Sequence, residues 1–454
     1  MFNRLNELIS KVNADYADLR YEKKIVTSIS FRTREIDNLS KNSTDGFVLR
    51  VLKNGGFATV AFNNIDDADF AINNAVTNAE LYSEKTTKKV KFAPAPVVKD
   101  EFIPEQIEDP RNISFEEKLE LMKKYNEILL KPEKVIATDL GYAELFRDKW
   151  FVNTEGSEIH EELLTTRLGG SITSSYGSQN QDLRIKAGGS NGFQNVRNLE
   201  KYMEGRAKLV VELLDAESVK GGTYDCIIDP TLTGVFTHEA FGHFSEADIT
   251  ENSPSLREKM KIGTKLGNGI VNITDNATIP NQLGHYKYDD EGVAVRKTVL
   301  MKNGVLTGRL HSRKTAHEFG EPISGHMIAE DYRYAPIVRM GTIFIEPTEN
   351  TKDELFKTLG NGLYLCEGKG GQTMGENFTF GASYGYIVEN GKIKKMVKDL
   401  NISGNLYNTL ADISMIGSDF ELSKVGGCGK GQTNLRSCYG GPHILIKNLV
   451  VGGK

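Results

Sequence analysis

The sequence predicts an α+β protein, in which N-terminal α/β units precede a large, mostly antiparallel β domain at the C-terminus. Two observations support this fold class. Up to about residue 220, stretches with a helical spacing of apolar residues alternate with strand-like stretches. From Gly221 onward, turn signals recur at short intervals between apolar or alternating runs, which is typical of antiparallel sheets.

The first predicted α/β unit is residues 1–85. Its elements are, in order, an amphipathic helix at 2–16, strands at 25–31 and 46–62, and a helix at 66–82. The second strand-like stretch contains Asn54 and Gly55, a pair that favours a tight hairpin turn because both residues tolerate a positive φ. We therefore expect this stretch to fold back on itself.

A linker is predicted for residues 86–112, which are rich in proline and show little periodicity. The second α/β unit, residues 113–220, begins at Ser114, which forms a capping box with Glu117. This unit continues with a helix to about residue 130, strands at 135–152 and 157–175, and a helix at 198–216.

The predicted C-terminal domain is residues 221–454. It begins with a short strand that ends at Asp229, and Pro230 then marks the start of a helix because proline is well tolerated in the first helical turn. Later turns are predicted at Lys302-Asn303-Gly304, Lys369-Gly370-Gly371, Glu389-Asn390-Gly391 and Gly426-Gly427.

Composition excludes several classes of function. The net charge of −5 and the dispersed lysines give no basic surface for nucleic acid. No apolar run reaches the roughly 18 residues of a membrane span, and the N-terminus does not resemble a signal peptide. Four cysteines at irregular spacing do not form a disulfide framework, so we expect a cytoplasmic protein.

The most informative motif is Thr237-His238-Glu239-Ala240-Phe241-Gly242-His243. Neutral imidazole binds Zn²⁺ well, and a glutamate held off the metal can accept a proton from activated water. In the usual HExxH motif the histidines stand at i and i+4 on one helical face, whereas here they stand at i and i+5, about 140° apart on a regular α-helix. A π-type turn would realign the two histidines, and Gly242 would lower the energetic cost of such a distortion. The alternative is a pair of structural histidines.

A catalytic zinc site usually has three protein ligands, so a third ligand must come from elsewhere in the chain. Cys428 is a candidate because glycines surround it and would let its backbone pass close to another element. Lys430 would favour its thiolate form. Cys438 remains an alternative, since sequence spacing cannot choose between the two, while Cys226 and Cys366 lie in apolar, strand-like contexts typical of core residues.

The motif His238-Glu239-Ala240-Phe241-Gly242-His243 together with Cys428-Gly429-Lys430 resembles the TldD/PmbA family of metalloproteases. Further blocks in family order are Asp289-Asp290-Glu291-Gly292, Asn303-Gly304-Val305-Leu306, Glu389-Asn390-Gly391-Lys392-Ile393 and Ile402-Ser403-Gly404-Asn405. The resemblance implies zinc bound by His238, His243 and Cys428, with Glu239 as the catalytic base. It also implies the metal-bearing, TldD-like branch of the family, whose partner branch lacks the motif.

The function expected on these grounds is zinc-dependent hydrolysis of extended or unfolded peptides, in a homodimer or in a heterodimer with a motif-lacking paralogue. Two alternatives from other classes stay open: a catalytically silent interaction subunit with a structural metal, and an amidohydrolase of a small substrate. The run Asp289-Asp290-Glu291 could bind a cation, but a solvated acidic turn is the preferred interpretation.

Overall fold

Three sheets, of seven, eight and six strands, organise the chain, as a computed structural model of residues 1–251, 253–433 and 435–452 shows. The fold is α+β, as the sequence predicts. The α-helices are α1 (Phe2–Ser10), α2 (Ala68–Lys85), α3 (Phe115–Leu129), α4 (Glu200–Glu212), α5 (Pro230–Phe236), α6 (His243–Ser245), α7 (Ala247–Glu251), α8 (Pro254–Lys259), α9 (Arg313–Phe319), α10 (Lys352–Leu359) and α11 (Leu406–Ala411).

The strands of the first half are β1 (Tyr16–Arg32), β2 (Glu35–Lys53), β3 (Gly56–Phe62), β4 (Lys99–Phe102), β5 (Val135–Asn153), β6 (Glu158–Tyr176), β7 (Gln179–Gly189), β8 (Glu217–Ser218) and β9 (Gly222–Ile228). Those of the second half are β10 (Ile273–Asp275), β11 (Thr298–Lys302), β12 (Val305–Leu306), β13 (Met327–Ile328), β14 (Ile337–Val338), β15 (Thr342–Ile345), β16 (Gly362–Met374), β17 (Asn377–Glu389), β18 (Lys392–Lys398), β19 (Leu400–Asn405), β20 (Ile413–Ile416), β21 (Glu421–Leu422), β22 (Cys438–Gly441) and β23 (Ile444–Gly452).

The N-terminal sheet has seven strands in the order β3-β2-β1-β5-β6, with β4 and β7 both paired to β6. Strands β1 and β5 pair antiparallel along most of their length, from Asp18 opposite Asn153 to Arg32 opposite Asp139. The segments 1–85 and 113–220 therefore share one continuous sheet. The predicted linker contributes to it as well, since β4 pairs in parallel with β6. Whether these segments act as separate domains stays a prediction.

Local signals in the sequence account for several of these elements. Asn54 and Gly55 have φ angles of 51° and 79° and connect β2 to β3, as the hairpin prediction requires. The Ser114 hydroxyl accepts a hydrogen bond from the Glu117 amide and so caps α3. Helix α1 buries Leu5, Leu8 and Ile9 on one face.

The C-terminal half contains an eight-stranded sheet in the order β16-β9-β23-β19-β17-β18-β8, with β20 also paired to β23. A six-stranded sheet has the order β12-β11-β10-β15-β22-β21. Most pairs in both sheets are antiparallel; the parallel pairs are β9 with β16, β8 with β18 and β15 with β22. Helix α5 packs against both sheets through β16 and β22, and its Leu232 and Phe236 are fully buried there.

One predicted turn is wrong. Lys369-Gly370-Gly371 lies inside β16, where the register with β17 shifts between Gly368 and Gly371. Gly370 has a φ of 102°, so the glycines accommodate a β-bulge and the chain does not reverse. A sequence signal for a positive φ does not distinguish these two outcomes.

The solvated acidic turn predicted at Asp289-Asp290-Glu291 is also wrong, because these three residues are only 2%, 1% and 2% exposed. Asp290 forms ion pairs with Arg20 at 3.0 Å and with Arg147 and Lys149, each at 3.3 Å. Basic residues of the N-terminal sheet thus cover the acidic run and attach the C-terminal half to this sheet.

In the described part of the chain, no helix has both the length and the apolar character that crossing a membrane requires.

Candidate metal centre

The motif helix has the distortion that its histidine spacing predicts. Helix α5 begins after Asp229, whose Oδ1 accepts a hydrogen bond from the Leu232 amide at 2.7 Å. The chain then continues without a break into a π-helical turn at Thr237–Gly242, followed by α6. The wider turn of a π-helix brings positions i and i+5 into line. The predicted π-type distortion is therefore confirmed.

Gly242 has a different role from the predicted one. Its φ and ψ of −57° and −46° are ordinary helical values, which any residue adopts. A Cβ atom at this position, however, would lie 2.1 Å from Sδ of Met340. Glycine is favoured here by the close packing of the turn against Met340 and not by an unusual backbone conformation.

The structure brings His238, His243 and Cys428 together, with one ligand atom of each within 4.8 Å of the others. Nε2 of His243 lies 3.7 Å from Sγ of Cys428. The His238 ring is 2% exposed, and within the described chain neither of its nitrogens has a hydrogen-bond partner. Buried polar atoms normally have a partner, so two orphaned imidazole nitrogens beside a histidine and a thiol fit a metal ligand. The residues present therefore fit a zinc ion.

Glycines position Cys428, as the sequence suggests. A Cβ at Gly426 would lie 1.9 Å from the carbonyl oxygen of Ser437, so only glycine allows these two segments to pass each other. Gly427 has a φ of 115°, and Cys428 then exchanges backbone hydrogen bonds with Leu435 at 3.2 and 3.1 Å. This small bridge orients the thiol toward the histidines.

Cys438 lies outside the cluster of ligand atoms. It is fully buried in β22, and its thiol donates to the carbonyl oxygen of Ser423 at 3.3 Å. Burial raises its pKa to about 12. Cys226 and Cys366 are buried core residues, as predicted, and burial also raises their pKa values.

Lys430 does not lie beside the thiol. Its Nζ contacts Glu246 at 2.9 Å, Asp248 at 2.7 Å and the carbonyl oxygen of Val338 at 2.9 Å. The lysine thus pairs with the carboxylates of Glu246 and Asp248. No contact among the described residues supports its predicted role in favouring the Cys428 thiolate.

Glu246 contacts the second ring nitrogen of His243, a relationship that was not predicted from the sequence. Its Oε2 lies 3.3 Å from Nδ1 of His243, and its Oε1 lies 3.3 Å from Nη1 of the fully buried Arg339. Burial disfavours its charge, but His243, Arg339 and Lys430 together hold the pKa of Glu246 below its ordinary value. A carboxylate on the second imidazole nitrogen fixes which nitrogen is free to bind a metal. The only signal in the sequence was its position three residues after His243.

Glu239 points toward the same space. Its Oε2 lies 3.8 Å from Nε2 of His243, and its side chain is 22% exposed. Burial raises the pKa of Glu239, although the positive charges of His243 and Arg339 oppose the rise. A carboxylate with a raised pKa beside the ligands is suited to accept and return a proton.

These residues open onto a cavity of about 790 Å³ between the two halves of the chain. One wall contains His238, Glu239, His243 and Cys428, together with Tyr439 and the glycines around the bulge of β16. The opposite wall is formed by the N-terminal sheet, including Arg167, Arg184 and Lys186. The volume is that of a typical ligand site and is large enough for several residues of an extended peptide.

Comparisons with known proteins cover nearly all of the chain. Models of the PmbA/TldA metallopeptidase domains match residues 17–80 for domain 1, 108–216 for the central domain and 221–453 for the C-terminal domain. A metalloprotease from Synechocystis sp. is 36% identical over 99% of this chain and 97% of its own length. A zinc metalloprotease TldD homolog from Saccharolobus solfataricus is 28% identical over 98% of both chains.

Solved structures share the fold. A candidate modulator of DNA gyrase from Thermotoga maritima superimposes with a TM-score of 0.80, at 21% identity, covering 99% of both chains. TldE from Thermococcus kodakarensis has a TM-score of 0.77 at 18% identity and covers 99% of this chain and 100% of its own. At these identities the likeness concerns the fold alone.

Proposed function

Because the chain belongs to the PmbA/TldA metallopeptidase family, we propose that it is a zinc-dependent metallopeptidase that hydrolyses peptide bonds in extended or unfolded chains. Relatives between 28% and 36% identical have metalloprotease names, and one of them is named for zinc. The observation on which the proposal rests is geometric. Three ligand atoms lie within 4.8 Å of one another, and Glu239 lies beside them on the wall of a large cavity.

His238, His243 and Cys428 would hold the metal. When bound, zinc supplies Lewis-acid chemistry that polarises a peptide carbonyl and acidifies water. Glu246 keeps His243 oriented for this task, because its carboxylate lies at Nδ1 and leaves Nε2 facing Cys428. Arg339 and Lys430 neutralise Glu246, so its buried charge is paired.

Glu239 is the proposed general base. Its Oε2 accepts a proton from water as the water oxygen bonds to the peptide carbonyl carbon, and it returns this proton to the leaving nitrogen, so that the peptide C–N bond breaks and a carboxylic acid and an amine form. The partial burial that raises its pKa makes the carboxylate a stronger base for the first of these transfers. The Thr373 hydroxyl donates to the backbone carbonyl of Glu239 at 2.6 Å and ties the motif turn to β16.

The unpaired edge of β16 is the observation that favours an extended peptide as the substrate. Strand β9 pairs with β16 only from Leu363 to Leu365, and Asp229 then bonds to the edge as far as Glu367. Beyond that point β16 continues to Met374, and its residues 368–371 line the cavity. In the described part of the chain no other strand occupies that edge. Such an edge can bind a peptide through backbone hydrogen bonds with little selectivity for side chains. Gly368, Gly370 and Gly371 keep the approach clear.

The oligomeric state of this chain and its cellular location are also part of the proposal. We expect a homodimer or a heterodimer with a motif-lacking paralogue, and a cytoplasmic location. The mass of the purified complex, measured alone and with such a paralogue, distinguishes the two assemblies.

The decisive experiment combines metal analysis with proteolysis. Wild type purified with zinc should contain about one zinc per chain and cleave denatured casein. Glu239→Ala should retain the zinc and lose cleavage by two orders of magnitude or more, because general-base catalysis contributes about 10²–10⁴-fold. Full cleavage by the zinc-loaded Glu239→Ala protein would contradict the role of Glu239. Zinc retention without any cleavage by wild type would favour a structural metal in an interaction subunit.

A further inference from the structure

The wall of the cavity that faces the candidate metal ligands has a composition that the proposed chemistry does not explain. It is the face of the N-terminal sheet turned toward the C-terminal half, and it is contributed by β1, β5, β6 and β7. Register places Ser28 opposite Ala143, Ala143 opposite Arg167, and Arg167 opposite Gly188. Because directly paired residues share a face, these side chains form one continuous surface.

Small residues form the centre of this surface. Gly141 pairs with Gly169, and Ser28 and Ala143 lie beside them. A Cβ at Gly141 would meet no atom closer than 3.7 Å, and one at Gly169 none closer than 3.8 Å. Packing within the protein therefore does not require glycine at either position. Larger side chains there would project into the cavity, so the small residues keep its floor open.

Cations surround the small residues. Lys186 pairs with Gly169 and Arg184 with Ser171, so both lie on the cavity face, and Arg167 is the diagonal neighbour of Lys186. Lys369 lies on the opposite side, next to the bulge of β16. Among the residues that line this cavity, these four cations accompany a single carboxylate, that of Glu239.

The protein itself does not neutralise two of these charges. Within the described chain, neither Arg184 nor Lys186 forms an ion pair within 4.0 Å. Glu367 acts on Lys186 at longer range, but its carboxylate is paired with Arg206 at 2.5 Å. Nζ of Lys186 donates to the Gly368 carbonyl at 3.2 Å and so bridges the two walls. Burial lowers the pKa of Lys186, which shows that its charge is partly withdrawn from water.

Arg167 is fixed in place. Its Nη1 donates to the Gly426 carbonyl at 2.8 Å, two residues before Cys428. The guanidinium therefore connects the basic wall to the loop that carries the candidate thiol ligand. A fixed, partly desolvated cation binds an anion more strongly than a solvated one, because less side-chain freedom and less hydration are lost on binding.

We infer that this basic wall, formed by Arg184, Lys186 and Arg167, binds a carboxylate of the substrate peptide. The inference rests on the proposed peptidase function and specifies its substrate class: peptides whose C-terminal carboxylate or acidic side chain lies within reach of the cleavage site. Cationic side chains bind carboxylates through charge-assisted hydrogen bonds, and the open floor of glycines leaves space for the chain that bears the carboxylate.

Binding of four labelled peptides tests this inference. All four have the same length, an extended sequence and an N-terminal fluorescein. The first ends in a free carboxylate and the second in an amide, both with glutamine inside. The third has one internal glutamate and an amide end, and the fourth has that glutamate and a free carboxylate. Their affinities for the zinc-loaded full chain with Glu239→Ala are measured by fluorescence anisotropy at several salt concentrations.

A peptide with a carboxylate should bind about tenfold more tightly than the neutral peptide, and salt should reduce the difference. Preference for the first peptide over the second identifies the C-terminal carboxylate, whereas preference for the third over the second identifies an acidic side chain. Arg184→Gln and Lys186→Met, each added to Glu239→Ala, should reduce the preference severalfold. The matched control is Lys201→Met, since Lys201 is exposed on α4 and does not line the cavity.

Equal affinity for all four peptides would overturn the inference, as would binding of none of them. A preference that survives both Arg184→Gln and Lys186→Met would also overturn it. Gly169→Leu is a second variant with a different mechanism: it fills the floor and should weaken the binding of every peptide. Cleavage of denatured casein by wild type tests the peptidase function separately. Casein cleavage without carboxylate preference refutes only this inference, and carboxylate preference without casein cleavage refutes only the peptidase function.

Discussion

The imidazole rings of His238 and His243 lie nearly perpendicular, at 83°, with their centroids 5.1 Å apart. On a regular α-helix, residues at i and i+5 would point about 140° apart. The π-helical turn at Thr237–Gly242 removes this divergence, and Gly242 packs closely against Met340 at the end of that turn. We expect the geometry of the candidate site to depend on this contact outside the motif.

Gly242→Ala tests this dependence. The added methyl group would overlap Met340, so the variant should lose about 1–3 kcal/mol of unfolding free energy and bind zinc more weakly. Gly205→Ala is the matched control, because a Cβ at Gly205 on α4 meets nothing within 4 Å and should add about 0.5–1 kcal/mol of stability. Denaturant unfolding of both variants gives the comparison. Equal stability of Gly242→Ala and wild type would mean that Met340 moves freely aside.

The third ligand is tested by a pair of cysteine substitutions. Cys428→Ala should lose tight zinc binding, because its thiol is the one that lies 3.7 Å from His243. Cys438→Ala should retain zinc, since its buried thiol bonds to the Ser423 carbonyl. Zinc content after dialysis against a mild chelator measures the difference. Unchanged zinc in Cys428→Ala would place the third ligand elsewhere.

Glu246→Gln should weaken zinc binding about 10- to 100-fold, the usual effect of removing a carboxylate that orients a ligating histidine. It should also destabilise the fold, because Arg339 would be left buried without its ionic partner. Asp248→Asn is the control: Asp248 contacts Lys430 but not His243, so zinc affinity should change much less. Competition with a fluorescent zinc chelator measures both affinities. If the two variants lose affinity equally, Glu246 has no special role at His243.

The buried acidic run gives a prediction about stability. Asp290→Asn would leave Arg20, Arg147 and Lys149 without their shared carboxylate, and the cost should be about 3–5 kcal/mol. The exposed pair of Arg32 and Asp37 provides the control, because Asp37→Asn should cost less than about 1 kcal/mol. Urea unfolding reports both values. A small loss in Asp290→Asn would show that other contacts hold the two halves together.

The contribution of His160 to the stability of the fold should depend on pH. Burial disfavours the charged ring, but hydrogen bonds to Asp148 and Glu101 outweigh it and raise the pKa of His160 above 6.5. A histidine with a raised folded-state pKa stabilises the protein fully below the unfolded pKa, and this stabilisation is lost as the pH rises through the folded pKa. His160→Gln should therefore lose more stability at pH 6 than at pH 9, measured by thermal unfolding. If the stability lost in His160→Gln is the same at both pH values, the loss comes from stacking on Trp150 and not from the charge of His160.

Local elements with strong signals could be predicted from the sequence. The hairpin at Asn54-Gly55 and the cap at Ser114 depend on residues a few positions apart, so the interactions that form them lie within short segments of the chain. The bulge at Gly370 and the burial of Asp289-Asp290-Glu291 could not be predicted in this way. Each depends on a strand or a set of cations that is distant in sequence.

The α+β class, the π-type distortion and the candidate ligands His238 and His243 could all be predicted from the sequence, because composition, periodicity and spacing within one helix are local properties. Spacing left Cys428 and Cys438 open, the family resemblance implied Cys428, and the fold places Cys428 beside the histidines. The support from Glu246 and Arg339 and the basic wall opposite became visible in the folded chain alone. These relationships join segments up to 259 residues apart. Their distances are set by how the eight- and six-stranded sheets pack around α5 and how the N-terminal sheet packs against them, which no short stretch of sequence specifies.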